Sequence, residues 1–130
     1  MGLSISHNAY SGSHSSFGAW RASIAKAAGF PELAEMEYYK LTGGIPWSSL
    51  DDPLVDLMIH SDCEGNLKPT QLKGIVERLE SLAENIAKQQ PGLSDPGNVH
   101  YNLSNSYITK KFIDGAKVAV TKNQLMKFRG

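Results

Sequence analysis

The sequence predicts an all-α fold, a single domain of about five helices over residues 1–130. A chain of this length suffices for one hydrophobic core. Apolar residues recur at spacings of three and four in several segments, which is the period of a helix buried on one face. Proline and glycine stand where those segments begin and end, as helix termini favour. No segment shows a convincing strand pattern, so no sheet is predicted.

The first helix is predicted to begin near Ser13 or Ser15, since either side chain can cap its free amide groups. Its buried face carries Phe17, Trp20, Ile24 and Ala28. Gly29 is expected to end it, because glycine readily adopts the left-handed conformation that follows many helices. Residues 3–13 before it are polar and aperiodic, and Pro31 after it opens a second predicted helix, PELAEMEYYKL.

Two further helices are predicted on either side of the loop at residues 60–66. Asp51 or Asp52 caps a short helix that starts at Pro53. The inward residues of that helix are Leu54, Leu57 and Met58. The longest helix is predicted over residues 69–89. Its continuous apolar stripe consists of Leu72, Ile75, Val76, Leu79, Leu82, Ala83 and Ile86.

The C-terminal part predicts a loop, a helix and an extended tail. Residues 90–104 contain two turn signals of the proline–glycine type and are expected to form the loop. The last helix is predicted from about Asn105 to Val120, with an apolar face made of Tyr107 or Ile108, Phe112, Ala116, and Ala119 or Val120. The tail NQLMKFRG is expected to dock as an extended segment through Leu125 and Phe128.

Charge and hydropathy exclude several classes of function. The 13 basic residues balance the 13 acidic ones, whereas binding to the nucleic-acid backbone needs a basic excess or stripe. No apolar run approaches the length of a bilayer-spanning helix, so no membrane partner is predicted. The single cysteine has no internal disulfide partner, which favours a reducing, cytoplasmic setting.

The loop HSDCEGN, residues 60–66, resembles part of an EF-hand calcium loop. With Gly65 at the sixth position, Asp62 and Glu64 fall on ligand positions. Leu67 falls on the apolar eighth position. The first, ninth and twelfth positions, however, hold His60, Lys68 and Gln71. Calcium prefers several anionic oxygens, so we expect an EF-hand-like turn without the ion. Asp62 and Glu64 are the metal candidates, and no metal or cofactor is predicted.

Cys63 suggests a second interpretation, a small Cys/His hydrolase in which Cys63 is the nucleophile and His60 or His7 the base. Such chemistry requires a base close to the sulfur and a stabilised thiolate. The acidic neighbours Asp62 and Glu64 oppose the thiolate. A small buried residue beneath the turn is the interpretation we favour for Cys63, and a non-catalytic protein is the prediction.

The segment SHNAYSGSHSSFGAWR, residues 6–21, is a second polar region. If a helix begins near Ser13, its free amide groups and Arg21 can hold an anion such as phosphate. Tyr10 and Trp20 can stack on a flat base or sugar. The competing interpretation is a capped helix with its aromatic residues in the core and Arg21 at the surface. The residues leave both interpretations open.

Together these segments resemble a family of small uncharacterised proteins from bacterial and phage genomes, through the patterns SHxxYxGxxSSFxxWR and HSDCxG and a closing F-R. The resemblance implies that the two polar segments face each other across one cleft. The expected ligand-binding residues are His7, Tyr10, Ser13, Ser16, Trp20, Arg21, His60 and Asp62. Phage relatives also imply a role in blocking host defence, with a nucleotide-derived signal as the ligand.

The leading hypothesis is a non-catalytic cytoplasmic binding protein for a small polar ligand, phosphate-bearing or nucleotide-like. The hydrolase is the first alternative. The second is a helical protein–protein interaction module, with a homodimer as one form of it, built around the EF-hand-like turn.

Overall fold

The structure is a computed structural model that describes residues 2–30, 50–61, 63–89 and 105–130. Over these residues an antiparallel sheet packs through one face against helices. The strands are β1 (Gly2–Ile5), β2 (Tyr10–Ser13), β3 (Asn66–Leu67) and β4 (Met126–Arg129). The helices are α1 (His14–Ala27), α2 (Val55–Met58), α3 (Pro69–Lys88) and α4 (Asn105–Lys122).

The all-α prediction is wrong, because these strands form one sheet in the order β2–β1–β4–β3 with antiparallel neighbours. Residues 2–13, which the sequence presents as irregular, form a hairpin. Leu3 and Ile5 of β1 are buried and alternate with exposed residues, as in a sheet with one solvated face. Only four residues carry this alternation, which is too short a pattern to distinguish a strand in the sequence.

A two-residue turn joins β1 to β2. His7 and Asn8 adopt φ angles of 61° and 57°, and the Ala9 amide donates to the Ser6 carbonyl at 3.2 Å. Left-handed residues at both central positions produce the twist that suits paired strands. Asparagine tolerates this conformation better than most residues, so Asn8 is the local sequence signal for the hairpin.

The C-terminal tail is extended, as predicted, and it forms an inner strand of the sheet. Strand β4 pairs with β1 on one side and with β3 on the other. Phe128 is buried as expected, but Leu125 is 41% exposed and Met126 takes the inward position instead. The sheet therefore joins the two ends of the chain through residues more than a hundred positions apart.

The predicted helices α1, α3 and α4 are present, whereas the short helix α2 begins at Val55, two residues after the predicted start at Pro53. The Ser13 hydroxyl caps α1 by accepting from the Ser16 amide at 3.1 Å, and Gly29 follows the helix with a φ of 78°. Helix α2 buries Leu57 and Met58, and α3 buries most of its predicted stripe. Helix α4 begins at Asn105, as predicted, and its buried face uses Ile108 where the sequence left Tyr107 or Ile108 open.

Two predicted segments, the helix opened by Pro31 and the loop over 90–104, lie outside the described residues. Among the helices that the structure describes, none is long and apolar enough to cross a membrane.

An aromatic cluster fills the core between the sheet and the helices. The Phe17 ring centroid of α1 lies 5.6 Å from that of Trp20 and 6.1 Å from that of Phe128 in β4. The Trp20 ring lies 5.2 Å from Phe112 of α4, and its indole N–H donates to the buried Thr109 hydroxyl at 2.9 Å. The tilted and edge-on geometries are those that aromatic pairs prefer. One cluster thus fixes α1, α4 and β4 together.

Gly115 sets the closest approach of α4 to the hairpin. A Cβ at this position would lie 2.7 Å from the Ala9 Cβ and 2.9 Å from the His7 carbonyl oxygen. We expect Gly115→Ala to lower the free energy of unfolding by about 1–3 kcal/mol, because the helix or the turn must shift. Gly18→Ala is the matched control. It adds the same methyl group to α1 with no atom within 4 Å, and we expect it to stabilise by about 0.5–1 kcal/mol.

Urea unfolding of both glycine variants measures the difference. A Gly115→Ala variant that is as stable as the parent would contradict the close packing of α4 on the hairpin.

Candidate functional site

The two polar segments meet through Arg21, which is a buried residue of α1. Its guanidinium donates to the carbonyl oxygens of Leu57 and Met58 at 3.2 Å and to that of His60 at 2.7 Å. These are carbonyl groups at and just beyond the end of α2, which have no partner within that helix. Arg21 also lies 4.8 Å above the Phe17 ring. The predicted proximity of the segments is present, but it takes the form of a packed junction.

The His60 ring lies within this junction and packs on Phe128, with 4.0 Å between ring centroids. Its Nδ1 lies 2.7 Å from the Ser61 carbonyl oxygen and its Nε2 lies 3.2 Å from that of Asn66. Gly65 makes room for the ring: it has a φ of 93°, and a Cβ there would lie 3.3 Å from the imidazole. Both ring nitrogens face backbone carbonyls, so the geometry does not present His60 as a base toward Cys63.

Cys63 is exposed rather than buried beneath the turn. Its amide donates to the Ser61 hydroxyl at 3.1 Å, and its carbonyl accepts from the Gly130 amide at 2.7 Å. Both contacts anchor the backbone of the loop at Cys63, whose side chain is exposed. These contacts explain the turn without any catalytic role for the sulfur.

The EF-hand-like loop is held by protein contacts. Leu67 is buried, as its place in the motif suggests, and pairs with Met126 of β4. Gln71, at the twelfth position, accepts a hydrogen bond from the Lys68 amide at 2.8 Å and thereby caps α3. Among the described residues no three His, Cys, Asp or Glu side chains gather to hold a metal ion. Glu64 is exposed, and the other metal candidate, Asp62, lies outside those residues.

The aromatic ligand candidates belong to the core. Tyr10 is 3% exposed and Trp20 is 1% exposed, so neither ring offers a face to a ligand in solvent. The Tyr10 hydroxyl donates to the Ser13 carbonyl at 2.8 Å. The hydroxyls of Ser13 and Ser16 bond to each other at 2.8 Å at the start of α1. These polar groups complete the helix terminus and hold the tyrosine in place.

His7 fixes the hairpin turn to the start of β4. Its Nδ1 lies 2.9 Å from the Ser6 hydroxyl and its Nε2 lies 2.9 Å from the Gln124 side-chain oxygen. The Ser6 hydroxyl also accepts from the Lys127 amide at 2.8 Å. The Ser6 hydroxyl donates its proton to the His7 Nδ1, which therefore carries no hydrogen. The His7 Nε2 then carries the ring proton and donates it to the Gln124 oxygen. His7 therefore lies apart from the Arg21 junction and serves the sheet.

A pocket of about 370 Å³ lies between α3 and α4, and none of the described residues that line it belongs to either polar segment. Its apolar floor includes Ala83 and Ile113, and its rim is polar. The lining residues are Glu80, Ala83, Ser106, Thr109, Lys110, Ile113, Asp114 and Lys117. The volume falls in the lower part of the range typical of small-ligand sites.

The charged groups of the pocket differ in whether they are paired. Lys117 of α4 bonds to Glu80 of α3 at 3.0 Å. Lys110 and Asp114 make no ion pair with another described residue. They stand one turn apart on α4 and are both exposed. One cation and one carboxylate are thus available to a ligand above an apolar floor.

The sequence provided no signal for this pocket. Glu80 belongs to the polar side of α3, and polar residues on a helix are normally solvated. Lys110 and Asp114 likewise have the spacing of any exposed pair on a helix. Only the packing of α3 against α4 brings these residues to one concavity.

Comparisons with protein-family models, with curated proteins and with solved structures find no match to this chain. The functional argument therefore depends on the geometry of the junction and of the pocket.

The junction leads to a test of Arg21. We expect Arg21→Met to lower the free energy of unfolding by about 3 kcal/mol, because it removes the charged donor that bonds to the carbonyl groups of Met58 and His60. Arg21→Lys keeps the charge but loses the planar guanidinium, so its free energy of unfolding should lie between those of Arg21→Met and the parent. Lys26→Met, at an exposed site of the same helix, is the control and should change stability by less than about 0.5 kcal/mol. Equal stability of Arg21→Met and Lys26→Met in urea would rule out the capping role.

Tyr10 leads to a test with pH. Burial raises the pKa of Tyr10 to about 12, and the hydrogen bond with Ser16 partly opposes that rise. Because the folded pKa exceeds the value of 10.0 for a free tyrosine, the neutral phenol stabilises the fold fully below pH 10. As the pH rises toward 12 this contribution is lost, by up to about 3 kcal/mol.

Urea unfolding as a function of alkaline pH measures this loss, with phenolate absorbance reporting the ionisation. Tyr10→Phe should remove most of the slope, whereas Tyr107→Phe, at a 46% exposed site, should leave it unchanged. The same slope in all three proteins would show that Tyr10 ionises as it does in the unfolded chain.

Proposed function

We propose that this protein is a non-catalytic binding protein for a small polar ligand and that the ligand occupies the pocket between α3 and α4. The observation that carries the proposal is that Lys110 and Asp114, which line the pocket together with the apolar Ala83 and Ile113, have no ion-pair partner among the described residues. Ligand sites in proteins commonly combine apolar walls with a few polar groups that orient the ligand. An ionic group on the ligand would gain a partner that the folded chain leaves open.

A binding role suits the pocket better than catalysis. Among the described residues of its lining there is no histidine or cysteine, and the Thr109 hydroxyl already accepts the indole proton of Trp20. Nucleophilic catalysis by Ser106 would need an adjacent general base, and no hydrogen bond joins Ser106 to another described side chain of the lining. The packed His60 ring and the exposed Cys63 likewise give no support to the hydrolase alternative.

The biological setting follows from the sequence resemblance. Proteins of phage and bacterial origin that bind without chemistry can act by sequestering a host molecule. The single cysteine is in keeping with a reducing, cytoplasmic location. In this proposal the protein lowers the free concentration of its ligand and needs no partner protein to do so.

Calorimetry with a panel of inorganic phosphate, AMP and free amino acids tests the proposal, with the melting temperature as a second readout. We expect at least one member to release heat and to raise the melting temperature. Lys110→Met should weaken that binding about tenfold or more, since it removes the available cation. No response to any member would contradict the proposal.

Lys111→Met is the matched control for this test. Lys111 neighbours Lys110 in the sequence, but it does not line the pocket, and its ammonium lies 5.8 Å above the Tyr107 ring. Equal losses in the Lys110 and Lys111 variants would indicate that a general surface charge, rather than the pocket, holds the ligand.

A further inference from the structure

The charges around the pocket add to zero. Among the described lining residues, the positive side chains are Lys110 and Lys117, and the negative ones are Glu80 and Asp114. The Lys117–Glu80 pair satisfies itself across the two helices at 3.0 Å. Within the described lining, one positive and one negative group then remain for a ligand, about 6 Å apart along the axis of α4 at 1.5 Å per residue.

This balance disfavours a phosphate-bearing ligand. A dianion that approached Lys110 would also meet Asp114 one turn further along the helix, and like charges at this distance repel. The described lining has no aromatic side chain, so a nucleobase would have no ring to stack on. A ligand with one charge of each sign and no net charge matches both observations.

The order of the groups along α4 gives the ligand a direction. Ser106 lies in the first turn of α4, and Lys110 follows it one turn later. The positive end of the helix dipole, the serine hydroxyl and the ammonium all favour an anion at this end. Asp114 lies further into the helix, where a cation is the complementary group. Ala83 and Ile113 then face whatever apolar part the ligand carries.

We propose that the ligand is a free α-amino acid with a small apolar side chain; this inference rests on the proposed function of the pocket. Its carboxylate binds Lys110 and Ser106, its ammonium binds Asp114, and its side chain contacts Ala83 and Ile113. Such a ligand presents both charges from one carbon atom, which suits a small pocket with one open group of each sign. No chemistry accompanies binding.

Three compounds titrated into the unmodified protein test this assignment. L-valine carries both charges, N-acetyl-L-valine lacks the ammonium, and L-valine methyl ester lacks the carboxylate. We expect L-valine to bind and each derivative to bind at least tenfold more weakly. These arms need no variant, so they do not depend on whether a substituted chain folds.

Two variants then assign each charge to its residue. Asp114→Asn should weaken the binding of L-valine at least tenfold. It should leave the residual binding of N-acetyl-L-valine unchanged, because that compound has no ammonium group to contact Asp114. Lys110→Met should weaken the binding of L-valine at least tenfold but leave the residual binding of L-valine methyl ester unchanged, because the ester has no carboxylate. Lys111→Met, outside the pocket, should bind all three compounds as the parent does. An effect of Asp114→Asn that is equal for L-valine and its acetyl derivative would overturn the assignment.

The outcomes separate this inference from the proposed function. One outcome is that AMP or inorganic phosphate releases heat, that this heat is lost in Lys110→Met, and that L-valine releases none. This result would leave the binding role in place and overturn the amino-acid assignment. Silence from every compound, with an unchanged melting temperature, would overturn both.

Discussion

The fold depends on the position of β4 in the sheet. This strand pairs with β1 near the start of the chain and with β3 after the central loop, so it closes the sheet across the whole sequence. Strand β3 has only two residues and would have little reason to be extended without that partner. Phe128 of β4 then packs against both Phe17 of α1 and the His60 ring. One strand therefore determines where the hairpin, the first helix and the central loop meet.

The polar residues at this meeting point serve the architecture. Arg21 brings a cation into the interior, and such a group is stable there only when its donors find acceptors. The acceptors are the carbonyl oxygens of Leu57, Met58 and His60, and each of these oxygens gains a donor in return. An N–H of the His60 ring satisfies a further carbonyl group of the same loop. A cluster of serine, histidine and arginine in a sequence thus has two physical explanations, a ligand site or a buried turn that must satisfy its own backbone.

The helices could be predicted because their signals are local. Ser13 and Gly29 mark the ends of α1 by capping and by a left-handed φ, and the stripe from Leu72 to Ile86 recurs with the helical period. The sheet could not, since β1 offers only Leu3 and Ile5 as an alternating pattern and one of its two partners, β4, lies more than a hundred residues away in the chain. Of the site, the sequence analysis expected the two polar segments to face each other, and the structure has a hydrogen bond from Arg21 to the His60 carbonyl oxygen. The burial of Tyr10 and the pocket between α3 and α4 were not predictable, because both depend on how helices pack.

The rotation of α4 about its own axis connects the core to the pocket. At roughly 100° per residue, Gly115 and the pocket residues Lys110 and Lys117 lie on opposite flanks of the helix. Gly115 contacts the hairpin so closely that a Cβ would overlap Ala9. On the side of the core, Thr109 is held by the indole N–H of Trp20 at 2.9 Å. These two contacts leave α4 little freedom to turn, so the groups on its other flank face α3 at a set angle.

A site that is held in place by packing loses less freedom when a ligand binds, which favours affinity from few contacts. Gly115 thereby supports a pocket that it does not line, and Thr109, which does line the pocket, is held from the side of the core.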